Sequence, residues 1–374
     1  MGGCVRDALL GKSPLDDEAI DIDIATDRTP DDMIALFSKA GIKSIPTGIA
    51  HGTITAVCEG LVAECTTLRA DVETDGRRAN VAFTRDWNED PKRRDFTINA
   101  IYADVHGADE TPQLWDPCGG RDDLAARRVR FIGDAKERIK EDALRILRFF
   151  RFSARFADVL DDEGLDACAA LTDHLAVLSK ERVFSEMSRI FPAPRASEAL
   201  QAADAAGTLG ALIPGSPRHQ VFAKLHSKGK NGVALSLAAL WPDLQRDELR
   251  RLLKPSNAIL DDYEGIRAAG QALADGQTTL RLLFHYGPYM AYQAALLKAA
   301  EGYSVAPELL EELKHGARPV LPISGKDIIA KGLAPGPQVS QTLHQFTELW
   351  LDEGAPCDQA SIDALITKAI DVHA

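Results

Sequence analysis

Strand-type alternation is confined to the first third of this 374-residue chain, and that asymmetry limits the folds open to it. IDIDIAT (20–26) interleaves isoleucines with acids, as a strand does. PDDMIALFSKAG (30–41) has an acidic first turn, helical periodicity and a glycine stop. GTITAVC (52–58) and LVAECTT (61–67) flank Glu59-Gly60, the pattern of a hairpin. Residues 71–92 are polar and aperiodic and predict a mobile loop, with another strand near TINAIYADV (97–105). Beyond about 124 the strand signals stop and helical patterns run to 374, punctuated at PAPR (192–195), PGSPRHQ (214–220) and RPVLPISGKD (318–327). Strands first and helices after predict an α+β chain: a small N-terminal head with a mainly antiparallel sheet, then all-helical parts. The expected boundaries fall near 124 and 193, giving divisions 1–124, 125–193 and 194–374.

No run of eighteen apolar residues exists, so no membrane span is expected, and the first residues, MGGCVRDALLGKSP, lack the pattern of a secretory signal. Six scattered cysteines without a CxxC pair fit free thiols in a reducing cytoplasm. The net charge of −13 argues against a nucleic-acid partner until its distribution is considered. Residues 121–155 hold eleven basic residues against six acidic ones, a local cationic face on an acidic body. Within it, EDALRILRFFRFSAR (141–155) places Arg145, Arg148 and Arg151 three apart with few carboxylates nearby in sequence, as though their charges were kept for a ligand.

Asp21 and Asp23 sit two apart on the predicted first strand, so both side chains project from one face. Carboxylates at that spacing suit hard cations such as magnesium, which takes oxygen ligands and can stabilise phosphoryl transfer. A DxD by itself equally fits a surface turn; Ile20, Ile22 and Ile24 between the acids point instead to a strand with one buried and one acidic face. Glu64, in VAECTT, is either a third carboxylate at the same metals or a solvent-facing strand residue. Upstream, Gly2-Gly3, Arg6 and Asp7 precede a helical run, a pattern that permits close backbone approach to phosphate. His51 reads as a turn residue, and Trp87 as a side chain able to stack on a base.

Taken in order, GGCVRDALLG, DIDIAT, RRDFTINA (93–100), DPCGGRDDL (116–124), EDALRILRFFRF and LSKERVFSEM (178–187) resemble the motifs of bacterial class II tRNA nucleotidyltransferases. These are the CCA-adding enzymes, which share their fold with bacterial poly(A) polymerases. The motifs cover residues 2–190, and PISGKDIIAKGLAPGP (322–337) resembles the family's C-terminal region more loosely. The resemblance implies a nucleotidyltransferase head (1–124), a helical neck (125–193), and a helical body and tail (194–374) that grip tRNA. It implies addition of C, C and A to the tRNA 3′ end from CTP and ATP, without a template and with Mg²⁺. Asp21 and Asp23 match its metal-binding pair, with Glu64 the candidate third carboxylate. Gly3 and Arg6 match nucleotide-contacting residues, Arg94 a nucleotide-binding arginine, and Asp95 a residue that helps recognise the ribose. Asp142, Arg145, Arg148 and Arg151 match the helix that binds the incoming nucleotide, and Glu181 and Arg182 a neck motif that pairs helices.

Base chemistry supports the helix assignment independently. Cytosine and adenine each present an exocyclic amine donor beside a ring-nitrogen acceptor. A carboxylate beside a guanidinium offers the complement, and uracil and guanine reverse both positions. Asp142 and Arg145, three apart, are expected to be neighbours on one helical face.

In the family a helix and a strand precede the GGxVRD block, so this chain, beginning MGG, is expected to lack one strand of the catalytic sheet. The connection KSPLDDEAI (12–20) is longer than expected, and no HD pair marks a phosphohydrolase site in the C-terminal half. The long 71–92 segment disfavours a CC-adding specialist, and the acidic bulk disfavours a poly(A) polymerase. An A-adding enzyme, or an RNA-binding protein with impaired catalysis, remains the alternative.

Overall fold

The computed structural model describes residues 1–12, 22–75, 78–104, 111–229 and 231–371, with backbone only for 70–81. It divides into two compact units, Met1–Ser216 and Pro217–Ala374.

The first unit opens with a short helix α1 (Gly3–Leu9), then β1 (Ile22–Thr26) and α2 (Pro30–Lys39). Thr29 and Asp32 form a reciprocal capping box at the start of α2, with Pro30 in its first turn. Strands β2 (Lys43–Gly48), β3 (Thr53–Cys58) and β4 (Leu61–Thr67) complete a four-stranded sheet of order β1-β4-β3-β2. β3 and β4 form the expected hairpin, with Glu59 and Gly60 both at positive φ. β1 pairs parallel with β4, and the other two pairings are antiparallel. Ile54, Ala56 and Cys65 pack one face of this sheet against Met33 of α2.

Ile24 was expected in a buried face, yet it is 44% exposed. Its strand lies at the sheet edge, and its register partner is Cys65, on the α2 side.

The 71–92 segment is not a loop. It contains most of a two-stranded antiparallel ribbon, β5 (Arg69–Asp75) and β6 (Arg78–Phe83), and a short helix α3 (Glu89–Lys92). RADVETD does alternate polar with small or apolar residues, as a strand does, but the polarity of the whole 71–92 segment masks it; the pairing shifts register between Asp71 and Glu73. Likewise, among the described residues of TINAIYADV, the strand is β7 (Tyr102–Asp104), which pairs with β8 (Gln113–Trp115). Thr97–Asn99 is a 3₁₀ turn. Every residue from Phe96 to Ile101 is buried there, so the alternation of a half-exposed strand is absent.

After β8 the described residues are helical: α4 (Gly120–Ala125), α5 (Ala135–Glu141), α6 (Leu144–Phe156), α7 (Asp162–Ala170), α8 (Lys180–Ile190), α9 (Ala196–Ala205) and α10 (Thr208–Leu212). The aromatic run of α6 anchors it to the strand-rich part. Phe96 lies 5.3 Å from Phe152 and 4.9 Å from Phe131, whose ring stacks on Phe149 at 5.6 Å. A bridge between Phe96 and Phe131, with Thr97 N–H donating to the Arg130 carbonyl and Ile132 N–H to that of Asp95, pins the RRDF segment beside α6.

The second unit is built from helices running from His219–His226 to Gln359–Asp371. Its Thr279–Glu301 segment is broken at Gly287-Pro288, where Gly287 takes φ 75°. Trp350, Phe346, Ile362 and Leu365 form one of its cores. No helix among the described residues is long and apolar enough to cross a membrane.

Candidate active site

A cavity of about 530 Å³ lies in the first unit, where α1, the RRDF segment, α6 and the first turn of α8 converge. Seven arginines and three aspartates line it; Arg145, Arg148 and Arg151 come from the cationic 121–155 window and the other four arginines from outside it. Of the residues singled out from sequence, Gly3, Arg6, Asp23, Arg94, Asp95, Asp142, Arg145, Arg148 and Arg151 all reach this cavity. Asp21 lies outside the described residues, as does most of KSPLDDEAI.

On the sheet side, Asp23 stands opposite Glu64 in the β1/β4 register, and Thr55 opposite Glu64 in the β3/β4 register. Side chains of such partners share a face, here the one away from α2, and neighbouring strands lie about 4.8 Å apart. Asp23 and Glu64 are therefore adjacent members of one row, although Glu64 is exposed and does not line the cavity. Among the described residues no group of three or more His, Cys, Asp or Glu is placed to hold a metal ion. The oxygen donors of Asp23 and Glu64 are nonetheless the kind a hard divalent cation takes.

Gly2 holds φ 63°, and a Cβ there would come 3.0 Å from Arg94 Nη1, so the glycine allows α1 to start against that guanidinium. Arg94 donates to Asp90, to the Tyr102 hydroxyl and to the Asn99 carbonyl. Burial alone would raise the Asp90 carboxyl, but Arg94, the Tyr102 hydroxyl and Arg93 outweigh it and hold it below the usual range. Arg6 is 6% exposed, donates to Asp7 and to Asn99 Oδ1, and lies 4.2 Å from the Phe156 ring centre.

Asp95 is buried. Its Oδ2 accepts from Arg148 Nε (2.6 Å) and Nη2 (2.5 Å), and its Oδ1 from Phe96 N–H and the Asn99 amide. Burial opposes its charge, yet Arg148, Asn99 and the Phe96 N–H hold the carboxyl below its ordinary value. Arg151 donates to the buried Glu186 of α8 (2.5 Å) and lies 4.3 Å from the centre of Phe152. Burial and the like charges of Arg148 and Arg189 push its guanidinium down, against the pull of Glu186.

Two expectations about this helix need correction. The arginines do have carboxylate partners: Arg145 with Glu141, Arg148 with Asp95 and Arg151 with Glu186. Two of those acids are distant in the chain, so local spacing could not reveal them. Nor do Asp142 and Arg145 share a helix. Asp142 is extended (φ −148°, ψ 105°) between α5 and α6, its Oδ1 accepting from Leu144 N–H and its Oδ2 from Arg182 (2.7 Å). Arg145 donates to Glu141 and to the carbonyls of Arg138 and Arg93, which ties α6 to the RRDF segment. Both residues still face the one cavity.

Residues 1–130 match the family model described as the poly A polymerase head domain, and residues 160–217 match one described as a probable RNA and SrmB- binding site of polymerase A. Human mitochondrial CCA tRNA nucleotidyltransferase 1 is 33% identical over 98% of this chain and 86% of its own length. The chain belongs to the CCA-adding tRNA nucleotidyltransferase family. The CCA-adding enzyme of Geobacillus thermodenitrificans is 34% identical over 92% of this chain and 86% of its own. A crystal structure of the Bacillus stearothermophilus CCA-adding enzyme in complex with CTP matches with TM-score 0.78 at 29% identity, covering all of this chain and 93% of the other.

Within this CCA-adding family member, sequence reasoning did not single out Arg93, Asn99, Leu144 and Phe152 as lining residues, and took Arg182 for a helix-pairing residue, whereas its carboxylate partner is Asp142 in the extended link between α5 and α6. Asn99 joins Arg6 to Asp95 through its two amide atoms; its place in RRDFTINA, four after Asp95, was the available signal. His51 closes a 3₁₀ turn before Gly52, and Trp87 packs edge-on against Trp115 at 6.5 Å.

Proposed function

We propose that this chain adds C, C and A in turn to the 3′ end of tRNA, using CTP and ATP and no nucleic-acid template. The observation that carries the reading is one cavity in which Asp23 of the sheet faces Asp142, Arg145 and the other arginines of the neck. Asp21 and Asp23, with Glu64 as third carboxylate, would hold Mg²⁺. When bound, the metal supplies Lewis-acid stabilisation of the charge on the transferring phosphoryl group.

The chain's own residues do the rest. Gly3 and Arg6 border the nucleotide, and Arg94 binds it. Asp95, ionised by its partners, helps recognise the ribose and fixes the direction of Arg148. Asp142 accepts from the exocyclic amine and Arg145 donates to the ring nitrogen, so C and A are taken while U and G meet two mismatched contacts. Arg148 and Arg151 place positive charge beside the nucleotide. Head (1–124), neck (125–193) and body with tail (194–374) are the working divisions, the last gripping tRNA, and the reaction takes place in the cytoplasm.

The test is incubation with a tRNA ending at its discriminator base, Mg²⁺, and CTP alone or with ATP. Two added nucleotides with CTP and three with both are expected. Addition of A only to a tRNA already ending in CC identifies an A-adding enzyme, repeated A a poly(A) polymerase, and no addition with intact tRNA binding an RNA-binding protein.

A further inference from the structure

Two arginine-bearing stripes meet at the cavity and continue past it. On α6, Arg148, Arg151 and Arg155 fall within about 60° of one another around the helix axis, Arg155 lying between the other two. On α8, Arg182, Glu186 and Arg189 fall within a similar arc. The pairings Asp142–Arg182 and Arg151–Glu186, with Arg148 4.0 Å from Glu186, advance in the same direction along both elements. The next turn of each stripe therefore brings Arg155 and Arg189 to neighbouring positions, about 6 Å beyond Arg151 along α6.

At that turn the charge balance changes. Asp142, Asp95 and Glu186 neutralise the inner arginines. Arg155 and Arg189 are both exposed, and among the described residues neither forms an ion pair with a carboxylate. The Arg155 guanidinium carbon lies 5.3 Å from the centre of the Phe156 ring, a cation–π distance. Arg189 is near enough to Arg151 to repel its charge. Two exposed guanidinium groups without a carboxylate partner, one turn beyond a cationic cavity, add nothing to the stability of the fold.

We infer that Arg155 and Arg189 form a phosphate-binding ledge that takes the RNA backbone next to the growing 3′ end, outside the nucleotide cavity. Guanidinium forks match phosphate oxygens two at a time, and backbone phosphate contacts of this kind fix the register of a nucleic acid. This rests on the CCA-adding reading, since the ledge matters only if an RNA end enters the cavity.

The experiment measures fluorescence anisotropy of a tRNA lacking CCA against the full chain over a range of salt, with CTP binding measured by calorimetry in parallel. The double variant Arg155→Gln/Arg189→Gln is expected to bind tRNA about tenfold more weakly, with the slope of log K against log salt reduced by about 2. CTP affinity stays at the wild-type value, and Arg155→Lys/Arg189→Lys restores most of the loss. Wild-type tRNA affinity and salt slope in the glutamine variant overturns the ledge. So does an equal loss for CTP, which would assign the pair to the triphosphate. Failure of the unaltered protein to bind tRNA overturns the CCA-adding reading as well, whereas failure of the variant alone to differ leaves that reading standing.

Discussion

Asp95 keeps its charge in a buried place because two donors of Arg148, the Asn99 amide and the Phe96 N–H all point at its two oxygens. Its folded-state carboxyl lies below the unfolded value, so the native protein binds fewer protons than the unfolded chain. That stability is fully present above roughly pH 4 and is lost as pH falls through the folded value. Asp90 behaves the same way through Arg94 and Tyr102. Asp95→Asn is expected to cost about 3 kcal/mol at neutral pH, the low end for a broken buried pair, because Arg148 is partly exposed. The variant's melting temperature should also fall less steeply than the wild type's between pH 5 and 2; a parallel acid limb would contradict the account. Asp142→Ala removes the acceptor proposed for the base amine and releases Arg182. Misincorporation of UTP and GTP relative to CTP and ATP should then rise by about 10–100-fold, with little change in melting temperature. An unchanged ratio would take base reading away from Asp142. Residue types at this site were legible in the sequence, but their partners were not. Arg148 meets Asp95 across 53 residues and Arg151 meets Glu186 across 35, distances over which helical spacing says nothing.

Among the elements, the contact between α4 and the 97–99 turn shows how backbone proximity holds the RRDF segment in place. Thr97 Oγ1 donates to Asp123 (2.6 Å), Asp123 also accepts from Arg130, and Asp116 caps the first N–H groups of α4. A Cβ at Gly120 would sit 2.7 Å from the Thr97 carbonyl carbon and closer still to its oxygen. Gly120→Ala must therefore displace backbone. It is expected to cost about 1–3 kcal/mol by urea denaturation, the range for overpacking at a closed contact, and to weaken CTP binding by moving Asp95 and Arg94. A variant with wild-type stability would mean that this contact is loose. DPCGGRDDL was legible only as a block of the family resemblance; the fold says which carbonyl its second glycine must clear. Elements with clean periodicity, such as α2 and the β3/β4 hairpin, were readable in advance. The β5/β6 ribbon carried a period-two signal in RADVETD, but with small residues at its apolar positions inside a strongly polar segment it reads as loop.

For the whole molecule, the sign of the charge and its placement act in opposite directions. Fifty-six acidic residues against forty-three lysines and arginines make the body repel polyanions at long range. The cavity and the α6/α8 stripes reverse that sign locally. The overall division into a strand-rich beginning and helices thereafter follows from the hydrophobic pattern. The concentration of seven arginines around one cavity does not, because Arg6, Arg94, Arg145 and Arg182 come from four separate segments. A few localised phosphate contacts on a repulsive body should make affinity fall steeply with salt. With about four such contacts, raising monovalent salt from 50 to 200 mM is expected to weaken tRNA binding about a hundredfold. CTP binding, proposed for the enclosed cavity where dissolved ions screen charges less, should weaken much less over the same range. Equal salt slopes for the two ligands, measured by anisotropy and calorimetry on the same preparation, would mean that the RNA does not use the cationic stripes at all.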